Sequence, residues 1–177
     1  MWFVGRTQTT IENVKTLPKD HAHAGEWENI IGDTIRLCFF RSLSNVEAKV
    51  RDTSGVAVKD WVAANIAQGG FWEMVRVRYD AVQVVWECKN YGGLKSDDFQ
   101  QASYYMSPAG GHFVVIVFRG EIKKHYYDHI KKCSAGNGLI LLLNESDIVI
   151  FLRQALNGKI KESHIRDNFD RTIREIS

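Results

Sequence analysis

The run Val82-Gln83-Val84-Val85-Trp86-Glu87-Cys88 restricts the fold more than any other stretch of the chain. Near-continuous β-branched and aromatic residues mark a strand buried on both faces, not one with a wet side. Gly92-Gly93 ends the run. Such a strand needs helices covering both faces of its sheet, which points to an α/β domain. The run also finishes on an acid and a lysine. Alternate residues of a strand share a face, so Glu87 and Lys89 project together while Trp86 and Cys88 point the other way. A margin ion pair explains the Glu87-Cys88-Lys89 triplet as well as a chemical site does, and spacing alone does not choose between them.

The flanking sequence supplies the layers. Trp27, Ile30, Ile31, Thr34, Ile35 and Cys38 recur at helical spacing and predict a helix over roughly 26–42, with Glu26 and Glu28 in its first turn, where negative charge complements the dipole. Alternation over 46–50 and 56–62, around Asp52-Thr53-Ser54-Gly55, predicts a hairpin. Residues 63–79 read as a short helix or irregular insert. A helix over 96–106 starts with Ser96 as N-cap. Strand 112–118, a basic helix over 121–133, strand 139–143 after Gly136-Asn137-Gly138, and helices near 147–156 and 162–176 complete the order. The expected fold is a mixed central sheet flanked by helices. Residues 1–24 show no clean period. They are expected to be an N-terminal extension or linker, leaving 25–177 as the folded domain. An apolar start followed by a polar linker is also what an excised domain would show, for example one once fused to a sensor domain.

Composition narrows the class. A chain of 177 residues suits one domain with a full core. The net charge of +2 and pI near 8.4 are mildly basic, so any footprint for a nucleic acid must come from local patches. Cys38, Cys88 and Cys133 are odd in number and form no Cys-x-x-Cys, which argues against a disulfide framework or structural zinc and fits a reducing cytoplasm. No signal peptide is visible, and no apolar run approaches the ~20 residues of a membrane span. A soluble, cytoplasmic protein is expected.

Trp86-Glu87-Cys88-Lys89-Asn90-Tyr91 resembles the Glu-x-Lys motif of PD-(D/E)XK nucleases, particularly Mrr-type restriction endonucleases and related antiviral, phage-defence effectors. The resemblance implies a restriction-endonuclease-like fold, a Glu87 that binds a divalent cation and a Lys89 that polarises water or stabilises charge on the phosphate. Hard carboxylate oxygens suit Mg²⁺, with Mn²⁺ as a substitute. A second carboxylate is then needed. Asp80 gives a compact Asp-x6-Glu-x-Lys, but along one extended strand it lies about 23 Å from Glu87 and on the opposite face. Asp60 sits on the preceding predicted strand, and neighbouring strands lie only about 4.7–4.9 Å apart. The resemblance likewise places its Asp on the strand before Glu-x-Lys, with 63–79 as an insert. The plain alternative is a strand-end aspartate.

Two further matches follow the same order. Gly25-Glu26-Trp27-Glu28 is similar to the Gly-x-x-Phe-Glu helix start of Mrr-type domains, with one residue fewer after the glycine. It implies that Glu28 is an outer metal or water ligand, although an ordinary first-turn acid fits equally. Gln101-Ala102-Ser103-Tyr104-Tyr105 matches Gln-x-x-x-Tyr, and residues four apart share a helix face. Gln101 is expected to reach the scissile phosphate or a water. The matches span 25–105.

Other patterns take plainer readings. His125 and His129 lack a further metal partner, and His21 and His23 read as loop. Gly136-x-Gly138 is a turn. Arg119, Lys123, Lys124, Lys131 and Lys132 form a basic stretch able to track a phosphate backbone, but also an ordinary solvated face. The expectation is a Mg²⁺-dependent endonuclease acting on DNA. Asp60 and Glu87 hold the metal, Lys89 assists, and Glu28 and Gln101 support. Cutting both strands takes two active centres, so a homodimer is expected. The alternatives are RNA as substrate, and a nucleic-acid-binding or assembly domain that keeps the fold without cleavage.

Overall fold

Strand β3, in the computed structural model Gln83–Lys89, is the middle of a five-stranded sheet of order β1-β2-β3-β4-β5. The structure describes residues 2–51, 57–134, 137–159 and 161–177, without the side chain of Trp2. Strands β1 (Leu43–Arg51) and β2 (Val58–Asn65) form an antiparallel hairpin, and β2 pairs antiparallel with β3. The expected turn at 52–55 lies outside the described residues. Strands β4 (Phe113–Phe118) and β5 (Leu139–Asn144) then add in parallel. All six residues of β4 are buried. The chain is thus mixed α/β, as its apolar runs demand.

The helices fall into two layers. Helices α1 (Trp2–Thr16), α2 (Ala24–Cys38) and α6 (Glu145–Leu156) pack on one another, and α4 (Ser96–Tyr104), α5 (Lys124–Cys133) and α7 (Ser163–Ile176) pack together. Helix α3 (Gly70–Arg78) fills the expected insert between β2 and β3. It buries Phe71 and Trp72 beside Phe39, Trp86 and Phe113. Helix α2 presents the stripe its spacing predicts, and it buries Trp27, Ile31 and Ile35 completely. Gly32 is required there: a Cβ would overlap the Trp61 ring, whose Nε1 donates to the Glu28 carbonyl at 2.8 Å. Among the described residues no helix is long and apolar enough to cross a membrane.

The stretch expected to be an extension is helical over Trp2–Thr16. Its inward stripe is Thr7, Thr10, Ile11 and Val14, and the two threonine hydroxyls donate to the carbonyls of Phe3 and Arg6 within the helix. Polar residues that satisfy their own hydroxyls in this way can be buried, and they conceal the apolar period. Arg119, just past β4, then holds the helix in place. Its guanidinium donates to Glu145 Oε2 at 2.7 Å, Asn90 Oδ1 at 3.0 Å, and the carbonyls of Val14 and Leu17 at 2.9 and 3.2 Å, and it lies against Trp27. Arg119 therefore leaves the predicted basic stretch, since it is buried and engaged inside the protein. A second correction concerns α4, whose N-cap is Lys95 and not Ser96. The Asp98 carboxylate accepts from the Lys95 amide at 2.8 Å.

Candidate active site

The register of the hairpin and of β3 assembles the site. Trp61 pairs with Trp86 and Val62 with Val85, so one further step of the ladder sets Asp60 opposite Glu87. The two tryptophans point toward α2, and the two acids therefore face the α4 side. Asp60 is buried at 8% exposure and Glu87 at 3%. Asp60 is tied across the strands, because its Oδ2 accepts from the Cys88 amide at 2.8 Å. Asp80 lies before the start of β3, exposed and with φ +50°. The structure brings Asp60, not Asp80, to Glu87.

Lys89 completes the row on the same face. Its ammonium contacts Glu87 Oε1 at 2.7 Å, Gln101 Oε1 at 2.9 Å and Asp98 Oδ1 at 3.5 Å. Burial opposes its charge, but Glu87 and Asp98 outweigh that and hold it above the ordinary lysine range. Gln101 faces Lys89 where a phosphate or water was expected. Its Nε2 donates to the Tyr105 hydroxyl at 2.7 Å, and that hydroxyl donates to the Val58 carbonyl at 3.0 Å. Both partners of the predicted Gln-x-x-x-Tyr face thus belong to one chain of hydrogen bonds ending on β2. Asp98 also accepts from the Tyr91 hydroxyl at 2.6 Å.

Glu87 is the electrostatic centre. Burial, then the neighbouring Asp60 charge, pushes its carboxyl up to about 7, against the pull of Lys89. Its Oε2 is buried and, among the described residues, has no hydrogen-bond partner. A buried carboxylate oxygen without a donor is costly, and it is a natural seat for a cation. Asp60 and Glu87 therefore fit a hard divalent ion: Mg²⁺ characteristically takes one or two carboxylates and fills its other positions with water or substrate oxygens. Among the described residues no three His, Cys, Asp or Glu side chains form a ready metal group.

Glu28 reaches the site indirectly. Lys49 of β1 contacts Glu28 Oε2 at 2.6 Å and Asp60 Oδ1 at 2.9 Å. The sequence reading missed Lys49, Asp98 and the anchoring role of Tyr105. Alternation in β1 offered a signal for Lys49, because continuing the hairpin register sets it opposite Asp60. That signal is blurred by a register shift between Ser44 and Glu47 and by a φ of +53° at Lys49 itself. His125 and His129 pack against Tyr126 and Phe99 and belong to the α5 surface.

No family model and no solved structure matches the chain. A curated relative, the putative transposon gamma-delta 80.3 kDa protein of Escherichia coli (strain K12), is 25% identical over 118 residues, which is 67% of this chain and 16% of that protein. The chain thus spans a small part of the relative's length.

Proposed function

We propose that this domain is a PD-(D/E)XK-type nuclease with a restriction-endonuclease-like fold, and that it hydrolyses phosphodiester bonds of DNA with Mg²⁺. One observation carries the reading. Asp60 and Glu87 adjoin on two strands, with an unpartnered buried oxygen on Glu87 and the Lys89 ammonium beside it. A carboxylate pair with a lysine suits phosphoryl chemistry, where catalysis is mostly positioning and neutralisation of charge.

Asp60 and Glu87 would hold the ion. Bound there, it would neutralise charge on the phosphate and make a coordinated water more acidic. The chain's own residues do the rest. The amide of Cys88 fixes one oxygen of Asp60, and the Lys49 ammonium contacts the other. Glu87 and Gln101 hold the Lys89 ammonium in place, so a phosphate oxygen meets a positioned donor. Tyr105 anchors Gln101 to β2 and keeps that geometry when substrate arrives. Gln101 is accordingly a positioning residue.

Supercoiled plasmid DNA incubated with the purified protein and Mg²⁺ should be nicked or linearised, and EDTA should stop it. Lys89→Ala should remove at least about a hundredfold of the rate. An absence of cleavage in both Mg²⁺ and Mn²⁺, or cleavage untouched by Lys89→Ala, would leave a nucleic-acid-binding domain instead. A parallel digest of single- and double-stranded RNA decides the polymer.

A further inference from the structure

Lys49 is poorly explained as a surface lysine. It sits in an edge strand with its backbone in the left-handed region, φ +53°, which a side chain with a Cβ adopts only at a cost. Its neighbours give that conformation no obvious purpose. Its side chain does, because the ammonium bridges Glu28 Oε2 at 2.6 Å and Asp60 Oδ1 at 2.9 Å. The side chain is still 54% exposed, so it has room to swing into solvent. One of the two acids it holds is a carboxylate to which the site assigns the divalent ion. The other carboxylate, Glu87, keeps a buried oxygen with no partner, so the seat is only partly neutralised.

We propose that Lys49 is a resident counter-ion of the cation seat: it holds Glu28 and Asp60 together in the metal-free protein and must release Asp60 Oδ1 before a divalent ion is bound there. This rests on Asp60 and Glu87 being the cation ligands. The physical reason is competition. One carboxylate oxygen cannot give its full field to an ammonium and to a divalent ion at once, and two positive charges in one small site repel. Without Lys49, Glu28 of α2 and Asp60 of β2 would repel one another. With it, the site stays folded at low metal, and binding is weaker than the acids alone would give. Glu28 keeps Lys49 nearby after release, which leaves its ammonium at the mouth of the site, where a phosphate backbone would pass.

The test is calorimetric titration of metal-stripped protein with MnCl₂ and MgCl₂ for the wild type, Lys49→Met and Lys49→Arg, each melted with and without metal. Lys49→Met keeps the stem and removes the charge. It should melt lower without metal, gain more from added metal, and bind Mn²⁺ up to about fivefold more tightly, since the half-exposed Lys49–Asp60 pair that must open accounts for up to about a fivefold factor. Lys49→Arg should resemble the wild type. Equal or weaker binding by Lys49→Met overturns the proposal, and so does an absence of binding in every form at millimolar metal. Should Lys49→Met fold poorly, the wild type answers alone. The Lys49 side-chain ammonium resonance, assigned through Lys49→Arg, should shift as Mg²⁺ is added, and a signal that stays still while the Asp60 and Glu87 carboxyl signals move refutes the exchange. Plasmid cleavage is scored separately, so tighter binding without any cleavage would keep the counter-ion role and discard the nuclease reading.

Discussion

Two buried charges sit at the ends of adjacent strands, and they are treated in opposite ways. Arg119, after β4, has donors directed to a carboxylate, an amide oxygen and two backbone carbonyls, and its face lies on an indole. Glu87, in β3, is as deeply buried but keeps one oxygen without a partner and a carboxyl raised to about 7 by burial and Asp60. A buried charge with four hydrogen bonds and an aromatic face is scaffold: it joins α1, α6 and β4. A buried charge left incomplete beside a second acid and a lysine is where a ligand would have most to add.

That contrast can be broken at either end. The largest effect is expected at the scaffold. Arg119→Met strips partners from Glu145, Asn90 and two carbonyls, and should cost about 3–5 kcal/mol, read as a lower midpoint in urea. Any cleavage by its folded fraction should persist. A loss below about 1 kcal/mol would show that the knot is decorative. At the other end, Asp60→Asn should remove at least about a hundredfold of plasmid cleavage without a comparable loss of stability.

The third effect is a pH dependence, measured in EDTA. The folded carboxyl of Glu87 titrates above its unfolded value of 4.5, near 7, so between those limits the native state binds more protons than the unfolded one. Stability is therefore greatest below about pH 4.5 for this group and falls as pH rises toward 7, by on the order of 3 kcal/mol. Glu87→Gln should flatten that slope, and a variant with an unchanged slope would mean that Glu87 is not the strained group. The smallest effect belongs to Asp80→Asn, which should leave both stability and cleavage near wild type. If it abolished cleavage while Asp60→Asn did not, the assignment of the second ligand would be wrong.

Much of this was readable from local pattern. Trp86 and its neighbours announced a central strand because burial on both faces writes a continuous apolar run. Asp60 was reachable because two extended strands have a fixed pitch and spacing, so distance and parity removed Asp80. Gln101 was legible as part of the site, but not its contact with Lys89, which depends on how α4 packs on the sheet. Helix α1 was invisible for a chemical reason: Thr7 and Thr10 occupy its inward stripe and meet their own hydrogen-bond needs inside the helix. Lys49 was hidden for a geometric one. A register shift and left-handed residues at Asn45 and Lys49 uncouple side-chain direction from simple alternation.

The same irregular strand has a consequence for how molecules meet. An open sheet has two rims, and here β5 is almost wholly buried while β1 carries mostly exposed residues. A straight exposed rim invites another copy to add a strand and start a stack. In β1 the backbone turns left-handed twice, and Glu47, Lys49 and Arg51 set both signs of charge along it. A strand added at this rim would therefore meet irregular backbone and mixed charge in place of an even ladder of amides and carbonyls or an apolar stripe.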